Sequence, residues 1–327
     1  MLIFLLLRPK STNVKVFQSI EEVEISDAPV ATIGTFDGVH QGHREVLSHL
    51  IKRAKERNAK SLLITFDPHP RIVLNKGVIN LRLINNPSEK IEILKEVGID
   101  YLLVLPFTFE FSKTSARDFI QHYLVNKLHV QAMVIGYDHQ FGRMDGEAVN
   151  IDSLLESFNI DVERVPEMDV KNLAVSSTKV RQAISEGNFE LANVLLGYKY
   201  AFCGTVIHGN KIGRTIGFPT ANLMLDYKLK LVPADGVYVV EVYFEDKEYQ
   251  GMLNIGYKPT INVGEKSIEI HILNFDRMIY GSRISVRVLR KIRDEIKFPN
   301  INELKTQLEK DRTEVVKYFN SSAKANQ

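Results

Sequence analysis

The chain has 327 residues, 44% of them hydrophobic and 25% charged, which is more than one ordinary compact domain holds and predicts two. Its 42 basic and 40 acidic side chains leave a formal charge of +2, so the electrostatic footprint of a dedicated nucleic-acid binder is missing and no nucleic-acid partner is expected. The lone cysteine, Cys203, excludes an intramolecular disulfide framework, reads as a small buried hydrophobe, and suits a reducing cytoplasm.

Residues 1–7 (MLIFLLL) are apolar, but basic residues follow the run where a secretory signal would have them first. A membrane span takes about 20 apolar residues, so residues 1–13 read as an extension or short edge strand and no membrane partner is expected. From there the first half alternates. Residues 30–34, 62–66, 101–105 and 132–135 are short apolar runs that read as buried strands, and residues 44–57, 88–97 and 116–127 read as helices. That alternation predicts a parallel, doubly wound α/β sheet. The loops leaving the strands are GTFDGVHQGH, TFDPHPR, PFTFEFS and GYDHQFG, and in such a sheet ligands bind at that edge. Two helical stretches over residues 176–196 close the half, with Gly197 as a stop. Beyond it, residues 204–207, 237–244, 249–255, 268–273 and 284–289 are strand-like without helices between them, and residues 245–248 look like a hairpin turn. This predicts a small antiparallel barrel, followed by a final helix over residues 301–318.

His40 and His43 stand three apart where a loop passes into a helix, so both imidazoles share a face beside free N–H groups. Such a site can stabilise charge on a phosphate in transfer. Alone, HxGH leaves open ordinary polar helix residues, or a zinc site whose third ligand has no recognisable spacing. Downstream, Ser176-Ser177-Thr178 with Arg181 combine capping hydroxyls and a guanidinium, which makes a phosphate clamp. In the second half HGNKIGRTIGFPTAN ends with Thr220 and Asn222, hard oxygens two residues apart behind Pro219, an arrangement suited to Mg²⁺ on nucleotide phosphates. Glu269 alternates with Ile268 and Ile270 on a strand and is the candidate base, with a merely solvent-facing glutamate as the rival reading.

GxFDGxHxGH together with SSTxxR resembles the nucleotidylyltransferase superfamily, which moves AMP from ATP to a phosphate acceptor. Over residues 14–311 an ordered set of motifs is similar to the bifunctional bacterial riboflavin kinase/FAD synthetase family. It includes TFDPHP, FSKTSARDFI, GYDHQFG, LLGYKY, PADGVYVV, MLNIGYKPT and IEIHILNFDRMIYG. The resemblance implies a Rossmann-like FMN adenylyltransferase domain over residues 14–197. It implies a riboflavin kinase barrel with a C-terminal helix over residues 198–327. The second would phosphorylate riboflavin with ATP and Mg²⁺, giving FMN and ADP. The first would adenylate FMN to FAD and release pyrophosphate.

Under it Glu269 is the base, and Thr220 and Asn222 hold magnesium. Gly209, Gly213, Arg214, Gly217 and Pro219 form the kinase's nucleotide loop, and Arg293 helps close the flavin pocket. His40 and His43 stabilise the transferring phosphate, while Ser177, Thr178 and Arg181 grip nucleotide phosphates. Gly34, Thr35, Phe36 and Asp37 line the nucleotide, Asp138 sits near it, and Phe66 with Phe141 belong to the flavin side. A cytoplasmic monomer or weak homo-oligomer is expected. The chain departs from the family pattern at Thr35, His139, Gln140, Ile270 and Asn274 and after Gly142, beside the proposed sites but not in their central residues. Two other functions stay open: AMP or CMP transfer to another acceptor, and a binding module in which one domain has lost catalysis and only stores or senses flavin.

Overall fold

A computed structural model describes residues 14–25, 27–74, 81–137, 150–170, 173–209, 212–257 and 266–325. Elements come in this order in the first part: β1 (Lys15–Phe17), β2 (Val30–Ile33), α1 (Gln41–Glu56), β3 (Ser61–Asp67), α2 (Pro70–Leu74), α3 (Pro87–Val97), β4 (Tyr101–Pro106) and α4 (Ala116–Phe119), which runs on as a π turn at Ile120–Val125. They continue with β5 (Ala132–Gly136), α5 (Ile151–Glu156), β6 (Asp161–Val165) and a ribbon of β7 (Asp169–Val170) with β8 (Leu173–Ala174). The main sheet has the order β1-β4-β3-β2-β5-β6, with every described pairing parallel. Its central strands are covered on both faces, which is why β2 is buried at every position and reads as an unbroken apolar run. Ala31, Ile33, Leu62, Ile64, Leu103, Leu105, Met133 and Ile135 meet Phe119, Ile120 and Leu124 in one core.

The second part begins with α6 (Ser177–Glu186) and α7 (Phe189–Leu196), then β9 (Ala201–Ile207), α8 (Ile212–Thr215), β10 (Ala221–Leu225), β11 (Gly236–Phe244), β12 (Lys247–Tyr257), β13 (Lys266–Ile272), β14 (Arg283–Arg293) and α9 (Ile301–Ala325). The strands close a barrel in the order β10-β13-β12-β11-β14-β9. The β11–β12 hairpin turns on Glu245 (φ 48°) and Asp246 (φ 62°), a two-residue primed turn, so β12 starts earlier than the sequence suggested. Asn274 also has a left-handed backbone (φ 55°), a conformation that asparagine tolerates. Cys203 is buried on β9, as expected.

The α/β half followed by a barrel and a final helix agrees with the expectation. Five strands went unread: β1 and β6, which are edge strands of mixed polarity, the two-residue strands β7 and β8 of the ribbon, and β10, which follows the glycine-rich loop. By contacts the chain divides between Ser177 and Thr178. α7 packs on the barrel. Asn193 Nδ2 donates to Val288 O at 3.1 Å, and the Phe189 ring meets those of Tyr200 and Tyr238. At the far end α9 lays Val315, Leu308, Tyr318 and Phe319 against Val237, Val239, Met252 and Leu289. Residues 1–13 lie outside the described residues.

Candidate active sites

In the first unit the loop GTFDGVH joins β2 to α1 where the strand order reverses, between β2 and β5. Its backbone is held out of the common regions: Phe36 (φ 49°), Gly38 (φ 90°) and Val39 (φ 36°) are all left-handed. Each non-glycine residue there costs about 1–2 kcal/mol. At Gly38 a Cβ would also stand 2.9 Å from Ile84 Cδ1. Something must hold such a loop, and buried Asp37 does: its carboxylate accepts the N–H groups of Ile84 at 3.0 Å and Asn85 at 3.3 Å.

The loop delivers His40 as the N-cap of α1, with Nδ1 accepting the N–H of His43 at 3.3 Å. The two imidazoles stack, centroids 3.6 Å apart and 14° from parallel, and the Phe36 ring lies 4.9 Å from that of His43. Accepting at Nδ1 requires that nitrogen to be bare, so neutral His40 carries its proton on Nε2. His43 Nδ1 is buried with no hydrogen-bond partner among the described residues. Burial first, then His40 and the Lys90 cation, hold His43 well below the ordinary histidine range. His43 is therefore uncharged at neutral pH. The stacked pair offers N–H donors beside the positive end of a 16-residue helix, a combination suited to stabilising a phosphoryl oxyanion.

Around it, Thr35 O accepts from Thr65 Oγ1 at 3.2 Å and from Lys90 Nζ at 3.3 Å, and Gly34 sits against the Phe36 ring. Ser177 Oγ donates to Asp37 O at 2.8 Å, so the serine motif reaches the glycine-rich loop. Thr178 and Arg181 follow on the same helix, α6. At the ends of β3 and β4, Phe66, Phe107 and Phe111 form a mutually tilted trio 5.4–5.9 Å apart.

The second site lies on the barrel. Thr220 Oγ1 donates to Glu269 Oε2 at 3.2 Å, and Asn222 is the direct cross-strand partner of Glu269 in the β10–β13 ladder. A hydroxyl, an amide and a carboxylate thus meet on one patch. Glycines let the preceding loop lie against it: a Cβ on Gly209 would stand 2.1 Å from Asn222 Nδ2, and one on Gly213 would stand 2.1 Å from Phe218 O. His271 Nδ1 donates to Pro219 O at 2.9 Å and fixes the backbone before Thr220; its pKa is lowered chiefly by burial. Among the described residues no group of three or more His, Cys, Asp or Glu could hold a metal. A cation here would take neutral oxygens of Thr220 and Asn222 and complete its shell with phosphates and water, which is the habit of Mg²⁺.

Other expected residues take different places. Gly217 turns the chain with φ 84°, and Arg214 is exposed on α8. Arg293 is clamped by Asp311, with Nη2 to Oδ2 2.7 Å and Nε 3.0 Å from both carboxylate oxygens, and it pins α9 to β14. Its guanidinium also stands over the Phe298 ring at 5.7 Å. Asp138 and Phe141 lie outside the described residues. The sequence reading passed over Lys90, Thr65 and the anchoring job of His271. For Lys90 a signal existed, since it shares helical spacing with buried Ile93 and Leu94 on α3.

A family model for FAD synthetase matches residues 23–179, and one for riboflavin kinase matches residues 196–319. A bifunctional riboflavin kinase/FMN adenylyltransferase of Buchnera aphidicola subsp. Acyrthosiphon pisum is 36% identical over 311 residues, covering 94% of this chain and 98% of its own. The Bacillus subtilis protein of the same description is 38% identical over 301 residues, covering 90% and 94%. Among solved structures, one described as a macrolide-efflux protein from Streptococcus pneumoniae superposes with a TM-score of 0.83 at 33% identity, covering 92% of this chain and 98% of that one. The efflux description is that protein's own. Among the described residues no helix is long and apolar enough to cross a membrane.

Proposed function

Since the chain belongs to the bifunctional riboflavin kinase/FMN adenylyltransferase family, we propose that its two reactions run at the two sites just described. It makes FMN from riboflavin and FAD from FMN, with ATP as co-substrate in both. The functional halves are residues 14–197 and 198–327.

For riboflavin phosphorylation, Glu269 accepts the proton of the terminal ribityl hydroxyl as that oxygen attacks the γ-phosphorus and ADP leaves. The Thr220 hydroxyl, bonded to Glu269, orients the carboxylate. Mg²⁺ would be held by Thr220 and Asn222, where it would neutralise charge on the transferring phosphate. Gly209, Gly213 and Pro219 give the nucleotide close access to backbone. For adenylyl transfer, an FMN phosphate oxygen attacks the α-phosphorus of ATP and pyrophosphate leaves. The His40–His43 pair donates to the developing negative charge at the start of α1, while Ser177, Thr178 and Arg181 hold the departing phosphates. Phe66 serves the flavin side.

The observation that carries this reading is a chemical contrast: an imidazole stack at a helix N-terminus in one unit, and a carboxylate beside a hydroxyl and an amide in the other. The reading further takes the enzyme as cytoplasmic and as a monomer or weak homo-oligomer. Flavins resolved by chromatography after incubation with riboflavin, ATP and Mg²⁺ test it. His43→Ala should abolish FAD while FMN still forms. Glu269→Ala should abolish FMN while FAD still forms from supplied FMN. Loss of both activities in either single variant would sink the two-site reading.

A further inference from the structure

We propose that Lys90 is a positioning residue for adenylyl transfer: its buried ammonium rivets the carboxyl end of β2 to that of β3 and supplies the fixed positive charge beneath the His40–His43 pair. The inference rests on the role proposed above for those histidines.

Lys90 stands early in α3, a helix fixed by a capping box between Asn86 and Glu89. Its Nζ donates to Thr65 Oγ1 at 3.1 Å, to Phe66 O at 3.1 Å and to Thr35 O at 3.3 Å. Three protons meet three neutral acceptors, so the ammonium is fully engaged and its place is under the site, away from the reacting phosphates. Two of those acceptors belong to the ends of different strands. Thr35 leads into the strained loop that carries His40, and Phe66 leads into TFDPHP. Thr65 closes the triangle by donating its own hydroxyl to Thr35 O.

A purely structural role explains this poorly. Lys90 is 9% exposed, and burying a cation among neutral acceptors is costly, whereas an apolar side chain of similar length would fill the space without that cost. The charge has a local purpose. Asp37 from the β2 loop and Asp67 from the end of β3 are the carboxylates that bear on Lys90, and both favour its charged form against burial. Lys90 in turn acts on His43, alongside burial and the stacked His40, to keep that imidazole uncharged. Without the ammonium, one of the two positive neighbours that keep His43 uncharged would be gone, and His43 would protonate more easily.

The test uses the full chain carrying Lys90→Met, assayed for FAD formation from supplied FMN and ATP with Mg²⁺ between about pH 5 and about pH 8. Riboflavin phosphorylation by the same sample is an internal control. The expected result is a fall in kcat of at least about tenfold, with KM for ATP moved far less. The acid limb of the profile should shift to higher pH, because removing a nearby cation makes His43 easier to protonate. Lys90→Arg should return the limb to its place, and Thr65→Val should slow the reaction without moving it. Should Lys90→Met fail to fold, Lys90→Gln, uncharged but still a donor, carries the same comparison. FAD formation within about twofold of wild type at every pH would overturn the proposal. A slower reaction with an unmoved acid limb would also overturn it, since a structural defect alone would do that. If His43→Ala leaves FAD formation intact, the histidine reading itself fails, whatever Lys90 does.

Discussion

The two sites are built from opposite materials. The proposed adenylyl-transfer site sits on a loop with three left-handed residues, Phe36, Gly38 and Val39, and owes its shape to buried polar anchors, Asp37 and Lys90. The proposed kinase site sits on regular strands, where the β10–β13 register alone sets Asn222 opposite Glu269. Loop sites store strain and depend on what holds them; strand sites depend on clearance. Substitutions remote from the chemistry should therefore hurt the first site through lost anchors and the second through lost space or lost docking.

The largest expected effect is on docking. Asp311 is 1% exposed and takes three of its hydrogen bonds from Arg293 and one from Gln307. Asp311→Ala leaves the guanidinium half-buried and unmatched, a change that costs about 3–5 kcal/mol. We expect the thermal midpoint of the C-terminal unit to drop and FMN formation with it, while FAD formation from supplied FMN persists below that temperature. An unchanged midpoint would show that the apolar contacts of Val315 and Phe319 hold α9 alone. Next comes clearance. Gly213→Ala places a methyl 2.1 Å from Phe218 O, which is backbone and cannot swing aside. A displacement near 1 Å at a reacting site costs about 100-fold, so FMN formation should fall by that order with the barrel still folded. A rate within about threefold of wild type would mean the loop has more freedom than its contacts imply.

The same contrast explains what could be read in the sequence. Strands β2, β3, β4 and β5 announce themselves because both faces are buried and the apolar runs are continuous. β6, DVERV, hides because an edge strand owes its identity to the partner it borders. His40, His43, Thr220 and Glu269 could be singled out because residue type and spacing suggest a chemistry for them. Asp37 and His271 were legible as residues but not as anchors, since an anchor is defined by what it bonds: Ile84 and Asn85 lie 47 and 48 positions from Asp37, and Pro219 lies 52 from His271. Arg293 shows the converse. The family resemblance implied that it helps close the flavin pocket, and the structure adds an ion pair with Asp311 on α9, a partner that no motif announces.

A smaller effect tests the anchor directly. Asp37→Ala leaves two buried N–H groups without their carboxylate, a loss of about 1–3 kcal/mol. Because those bonds hold the strained loop, FAD formation should fall about tenfold or more while FMN formation is untouched. Asp37→Asn keeps an acceptor and should recover part of the rate. If both variants behave alike, the carboxylate's charge and not its geometry is what matters.

The smallest effect is a pH dependence whose sign follows from His43. In the unfolded chain its imidazole titrates near pH 6.5; in the folded chain burial, His40 and Lys90 hold it well below that. Between the two values the unfolded state binds the extra proton, so stability rises with pH. The contribution is complete above about pH 6.5 and is lost as pH falls through the folded value, with a slope of at most about 1.4 kcal/mol per pH unit. On acidification from about pH 7.5 to about pH 5.5 the unfolding midpoint of the N-terminal unit should therefore fall further in wild type than in His43→Phe. FAD formation should pass through pH 6.5 without an inflection from His43, because that imidazole is already neutral there. An inflection at that pH would mean the imidazole works as a cation, and the oxyanion would then be met by charge in place of neutral N–H groups.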